Sequence, residues 1–187
     1  MISNSVAPSY GLKYYTIKTK QPEDGGVESK SQKMASAIID LLIQIPIFDS
    51  LDPNELQIAV KYMNVVEAGV GEIVFREGDR GDFVCFVAQG TLDVIKASDT
   101  GRNVIISTLN KGRSIGEMSI MDNFPRSATV RSRTKSTLIT LSRDSFQTII
   151  EDHPRIGVKI MQGVARLLSL ALRKTSSRLA DYMLPLG

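Results

Sequence analysis

Between residues 62 and 142 the chain is a string of short β-branched and aromatic runs cut apart by glycine and aspartate turns. The runs are Met63–Glu67, Ile73–Arg76, Phe83–Ala88, Thr91–Lys96, Val104–Leu109, Thr129–Arg133 and Thr137–Ser142. Turn signals fall at Ala68-Gly69, Glu77-Gly78-Asp79, Gln89-Gly90, Asp99-Thr100-Gly101 and Lys111-Gly112. None of these runs is long enough to be a helix with its own apolar face. Many short strands at this spacing predict an antiparallel jelly-roll barrel, a mainly β fold with flanking helices.

Helical periodicity returns on both sides. Met34, Ala37, Ile38, Leu41, Leu42 and Ile45 follow the i, i+3, i+4, i+7 spacing of an amphipathic helix, and Pro46 stops it. Ser50 or Asp52 can cap a second helix that starts at Pro53 and runs to about residue 61. Ser142 or Asp144 can cap a third, and Asp152-His153-Pro154 opens a long one over 155–181. The first half of that long helix is apolar on nearly every side, so more than one face needs a cover. The barrel can take one face. A second copy of the same helix, giving a homodimer, or the chain's own N-terminal helices can take the other. Residues 1–30 mix Pro8, Pro22, Gly11, Gly25 and Gly26 with Ser, Lys and Asn and predict a mobile tail, with Tyr10, Tyr14 and Tyr15 out of place in a pure linker and docking on the body or a partner as their alternative. The expected organisation is a tail over 1–30, N-terminal helices over 31–61, the barrel over 62–142 and C-terminal helices over 143–187.

One irregular piece interrupts the strands, a cassette at 114–129, and an insertion of this kind is where function tends to sit. It contains Gly116, Glu117, Met118, Ser119, Pro125, Arg126, Ser127 and Ala128. A short helical turn beginning at Gly116 would present free backbone N–H groups to an anion. Arg126 can fork onto two oxygens of one phosphate. Glu117 is an acceptor suited to sugar hydroxyls. Together they describe a pocket for a small phosphorylated nucleoside. Taken singly, Arg126 reads as a surface arginine after a proline, and Glu117 as a carboxylate that favours the first turn of a helix.

The ordered set resembles the cyclic nucleotide-binding domain family of catabolite-activator-type regulators, kinase regulatory subunits and gated channels. Gly71 to Asp82 looks like that family's early strand and turn, and Phe86 to Val94 like the strand pair after it. Gly116-Glu117-Met118-Ser119 followed by Pro125-Arg126-Ser127-Ala128 is similar to its phosphate-binding cassette. The resemblance covers about residues 45–175. It implies that Arg126 pairs with the exocyclic phosphate oxygens and that Glu117 accepts the ribose 2′-hydroxyl. It implies that N–H groups near Ser119, Ser127 and Ala128 complete the cradle, and that the long last helix reports occupancy. Ser127 suits cyclic AMP or cyclic GMP, with cyclic AMP favoured. Leu167, Leu168, Leu172 and Arg173 are candidates to cover the base, but the leucines read first as helical core and Arg173 as a solvated charge.

Composition narrows the alternatives. The only cysteine is Cys85 and the only histidine His153, too few for a cupin metal centre, an iron–sulfur cluster or a haem ligand in context. A net charge of +3 does not by itself argue for nucleic acid. The basic residues Arg126, Arg131, Arg133, Lys135 and Arg143 form an acid-free run that strand alternation scatters over solvated faces. The chain stops soon after the long helix, so direct DNA binding through a helix-turn-helix is not expected. No Walker loop, kinase lysine or hydrolase triad is present. No apolar run reaches about 18 residues, so no membrane span is expected, and without a signal peptide a cytoplasmic location follows. The expectation is a regulatory binding module and not an enzyme: no cofactor or metal, a cyclic nucleotide ligand, and an unidentified protein partner. The competing expectation is a scaffold of the same fold with a vestigial pocket.

Overall fold

The computed structural model describes residues 13–16, 30–98, 102–122 and 124–183. In chain order the elements are strand β1 (Lys13–Thr16), helix α1 (Lys30–Leu42), a 3-10 turn (Pro46–Phe48), α2 (Pro53–Val60), β2 (Met63–Ala68), β3 (Ile73–Phe75), β4 (Phe83–Gln89), β5 (Thr91–Ala97), β6 (Asn103–Asn110), β7 (Ser114–Ile115), a second 3-10 turn (Glu117–Ile120), β8 (Thr129–Ser132), β9 (Ser136–Ser142), α3 (Arg143–Asp152) and α4 (Pro154–Met183).

The strands form two antiparallel sheets, ordered β1-β2-β9-β4-β7 and β3-β8-β5-β6. They face each other as a jelly roll, with helices outside the five-stranded sheet. Strand alternation explains the layering. On β4, Cys85 and Val87 point into the barrel with Val74, Phe75, Leu92, Val94, Val130 and Leu138. Their neighbours Val84 and Phe86 point the other way, with Ile139 and Leu141 of β9, onto the helices. These central strands are therefore buried on both faces. That is why Phe83–Ala88 reads as a continuous apolar run instead of alternating with polar residues.

The helices close as local chemistry dictates. Asp52 accepts from the backbone N–H groups of Asn54 and Glu55, and Glu55 returns a bond to the Asp52 N–H, a complete capping box behind Pro53. Ser142 caps α3 by accepting from the Ser145 N–H. Pro154 starts α4 one residue after α3 ends.

The start of α4 is covered by the chain itself. Ile156, Ile160 and Val164 pack with Leu42, Ile45, Ile47 and Phe48 of the N-terminal segment. At Gly163 the helix passes so close to Pro46–Phe48 that an added Cβ would lie 2.0 Å from the Ile47 carbonyl oxygen. Val158, Met161, Leu170, Leu172 and Leu179 remain exposed.

Two stretches differ from the sequence reading. Within the expected tail, Lys13–Thr16 pairs antiparallel with β2, from Lys13 opposite Glu67 to Thr16 opposite Asn64. β2 otherwise has a free edge, and Tyr14, Tyr15 and Thr16 are strand formers. Lys30, the last residue of the expected tail, opens α1, and the rest of the tail and the turn Asp99-Thr100-Gly101 lie outside the described residues. The two-residue strand β7, paired with Cys85 and Phe86, ties the start of the cassette to the barrel.

Candidate functional site

Gly116 adopts φ 82°, ψ 19°, a left-handed conformation that glycine alone takes without strain, and it introduces the turn Glu117–Ile120. A Cβ there would lie 2.4 Å from Nη1 of Arg126. So the glycine both reverses the chain and makes room for the guanidinium. Gly81 gives clearance alone: a Cβ there would meet the Ser119 hydroxyl at 2.3 Å.

Arg126 is held from all sides. Its N–H donates to the Asp79 carbonyl at 2.8 Å, and its own carbonyl accepts from Gly78 at 2.9 Å. Nη1 donates to the Ser119 hydroxyl at 2.7 Å and Nη2 to the Phe83 carbonyl at 2.8 Å. Cζ stands 4.0 Å from the ring centroid of Phe75 and 4.5 Å from that of Phe83, so the cation is flanked by two aromatic faces. Only 4% of the residue is exposed. Burial depresses its pKa. No carboxylate lies within ion-pairing distance of it among the described residues, and Nε has no hydrogen-bond partner.

Glu117 is its counterpart. Its Oε2 is buried and without a partner, and burial raises the carboxyl pKa above its ordinary value. Orphaned buried polar atoms are rare, and each calls for an explanation. Here there are two of opposite character in one pocket. Gly116, Glu117, Met118, Ser119, Pro125, Arg126, Ser127 and Ala128 all line it, with Phe75, Ile115, Asp122, Phe124 and Val130. The cassette residues singled out in the sequence are thus brought together.

Three details depart from the sequence reading. The Ser119 N–H is spent inside the turn on the Gly116 carbonyl at 3.0 Å, so its hydroxyl and not its amide faces Arg126. The basic run is only partly a solvated surface: Lys135, Arg133 and much of Arg131 meet solvent, but Arg126 and Arg143 turn inward. Arg131 and Arg133 converge on the buried carboxylate of Asp93, at 3.5 and 2.8 Å. Arg143, the first residue of α3, donates from Nε to the Ser119 carbonyl at 3.0 Å and from Nη2 to the Gly81 carbonyl at 2.9 Å, and also bonds the Asp122 carbonyl. It sits at the C-terminal end of the cassette turn, where a cation is favoured. Finally, none of the pocket-lining residues belongs to α4. Leu167 and Leu168 pack on the helical core and Arg173 is exposed, the roles the sequence favours for them, while Leu172 is exposed too.

Sequence reasoning passed over Phe75 and Phe83. The available signal was their position on either side of the Glu77-Gly78-Asp79 turn, whose backbone holds Arg126.

Among the described residues no cluster of His, Cys, Asp and Glu could hold a metal, and no helix is long and apolar enough to cross a membrane.

Comparison with known proteins gives a consistent picture. The family profile described as the cyclic nucleotide-binding domain matches residues 65–153. The CRP-like cAMP-activated global transcriptional regulator of Mycobacterium tuberculosis is 27% identical over 144 residues, which is 77% of this chain and 62% of that protein. The chain therefore spans less than two thirds of that relative's length. Among solved structures, a cyclic nucleotide-binding domain from Methylobacillus flagellatus KT aligns with TM-score 0.72 at 27% identity, covering 81% of this chain and 85% of that one. The N-terminal domain of a transcriptional regulator from Streptomyces coelicolor A3(2) aligns with TM-score 0.65 at 30% identity, covering 79% and 98%.

Proposed function

Because the chain belongs to the cyclic nucleotide-binding domain family, we propose that it is a non-catalytic sensor for a cyclic mononucleotide, cyclic AMP in preference to cyclic GMP. The observation that carries this reading is the pair of unmet groups in one pocket: a buried guanidinium without a counter-ion and a buried carboxylate oxygen without a donor. A cyclic phosphate supplies the missing anion and a ribose 2′-hydroxyl the missing donor. Arg126 takes the exocyclic oxygens, Glu117 the hydroxyl, and the backbone beside Ser127 and Ala128 the rest of the phosphate. The guanidinium offers five N–H donors, and two of them are engaged here. The base preference draws support from the relative described as cAMP-activated.

The output is a shift in population. The ligand favours the arrangement in which the cassette is closed on Arg126. Arg143 ties the cassette turn to α3, and α3 leads directly into α4. The exposed apolar residues of α4 support a homodimer. Val158, Met161, Ala165, Leu168, Leu172, Thr175 and Leu179 recur at heptad spacing along one seam. Of the flanking residues, Gln162, Ser169 and Ser176 on one side and Gly157, Val164, Ala171 and Arg178 on the other, only Arg178 carries a charge. Such a dimer would present its signal to a protein partner.

Titration calorimetry with cyclic AMP and cyclic GMP tests the reading. Saturable binding with a preference for cyclic AMP is expected. No heat with either nucleotide at millimolar concentration would reduce the pocket to a vestige and leave a scaffold.

A further inference from the structure

Behind the pocket wall lies a polar circuit that no cassette motif includes. The antiparallel ladder between β5 and β8 ends at Ile95 opposite Thr129. Lys96, next along β5, continues the attachment with its side chain. Its Nζ donates to the Ser127 carbonyl at 2.8 Å and to Glu77 Oε1 at 2.5 Å. The other Glu77 oxygen accepts from the Ala97 N–H at 3.3 Å. The Glu77 N–H donates to the Thr129 hydroxyl at 3.0 Å. The two residues after Arg126 and Thr129 beyond them are thus tied, at Ser127 and Thr129, to the β3–β4 turn and to β5.

The peptide unit joining Ser127 to Ala128 is planar and trans, so its carbonyl and its N–H point in opposite directions. Fixing the Ser127 carbonyl on Lys96 therefore fixes the direction of the Ala128 N–H, away from Lys96. Ala128 is buried and lines the pocket beside Arg126. The Lys96–Glu77 pair is a poor candidate for a stabilising ion pair, because its side chains are 46% and 32% exposed, and such surface pairs contribute little. Its third contact, to a carbonyl that backs onto the pocket, gives it a different use. We infer that Lys96, oriented by Glu77, is a positioning residue that aims the Ala128 N–H at the ligand's phosphate. This rests on the cyclic-nucleotide reading of the pocket.

The test compares wild type, Lys96→Met and Lys96→Arg in the full chain. Affinity for cyclic AMP is measured by calorimetry at low and high salt, and the Ala128 amide proton is followed by NMR. Lys96→Met should melt close to wild type and bind about three- to tenfold more weakly, equally at about 50 and 500 mM salt. Its Ala128 amide proton should lose the ligand-induced downfield shift. Lys96→Arg, which keeps a cationic donor, should restore both. A wild-type affinity and amide shift in Lys96→Met overturns the inference, as does a deficit that vanishes at high salt, since Lys96 would then act through charge alone. If wild type binds neither cyclic AMP nor cyclic GMP, the reading of the pocket falls, and the inference with it. Wild-type binding with an indifferent Lys96→Met removes the inference alone.

Discussion

Arg126→Met should separate ligand binding from stability. In the ligand-free protein the guanidinium makes two hydrogen bonds to neutral acceptors and lies against two aromatic faces. Hydrogen bonds to a charged group contribute about 1.5–3 kcal/mol each, and a desolvated cation–π contact about 2 kcal/mol. Against these stands the desolvation of an ion, several kcal/mol, which Asp79 and Asp82 offset only in part and from beyond ion-pairing distance. The sums nearly cancel. Methionine keeps an unbranched apolar stem of similar length. The ligand-free variant should therefore unfold within about 1.5 kcal/mol of wild type, in either direction. Binding is different, because there the phosphate supplies the counter-ion. Losing one charge-assisted bond of about 1.5–3 kcal/mol weakens affinity roughly tenfold to 150-fold, and losing a fork weakens it more. Thermal denaturation reads both quantities at once. At a hundred times the wild-type Kd, cyclic AMP should stabilise wild type by about 2.7 kcal/mol. The same concentration should stabilise the variant by about 1.4 kcal/mol at most and about 0.3 kcal/mol at the weaker limit. A variant with wild-type affinity would refute the assignment of Arg126. A variant that loses more than about 3 kcal/mol without ligand would show a structural strut instead of a poised binding group.

Gly163→Ala should destabilise by about 1–3 kcal/mol in denaturant titration, because the methyl would press on the Ile47 carbonyl and push α4 outward; unchanged stability would mean the contact is loose. Glu117 has a raised carboxyl pKa in the folded state, so stability is lost as pH climbs through that raised value. Glu117→Gln has no such group, so its stability relative to wild type should rise over the same window and then level off in denaturation curves from pH 4 to 8. Parallel curves would contradict the burial of that carboxylate. Burial pushes the Cys85 thiol up to about 12, so native protein should resist alkylation at pH 8 and react only when unfolded, as mass spectrometry would show.

The fold was legible because each short strand carries its own boundaries. Gly78, Gly90 and Gly112 all have positive φ at the predicted turns. The cassette residues were legible as types in order: an acid, a small hydroxyl and an arginine after a proline. What the sequence hid was their partners. Phe75 and Phe83 approach Arg126 only when β3 and β4 fold together, and their flanking of the Glu77-Gly78-Asp79 turn points to Arg126 only once that turn is known to hold it. Arg143 looked like one more surface charge because its acceptors are carbonyls, which every residue has. The strand at Lys13–Thr16 stayed hidden because four residues carry too little pattern to outweigh the surrounding glycine and proline.

The close passage at Gly163 has a mechanical side. From that residue the helix extends about 30 Å to Met183, and beyond Leu168 it runs free of the core. A rigid rod pivoting on the Ile47 carbonyl multiplies whatever happens at its base. A tilt of about 10° there swings the far end by about 5 Å, one helical turn's worth of travel. If the proposed signal tilts α4 at this crossing, a small displacement at its base reaches the far end enlarged, and the glycine provides the clearance for such a fulcrum.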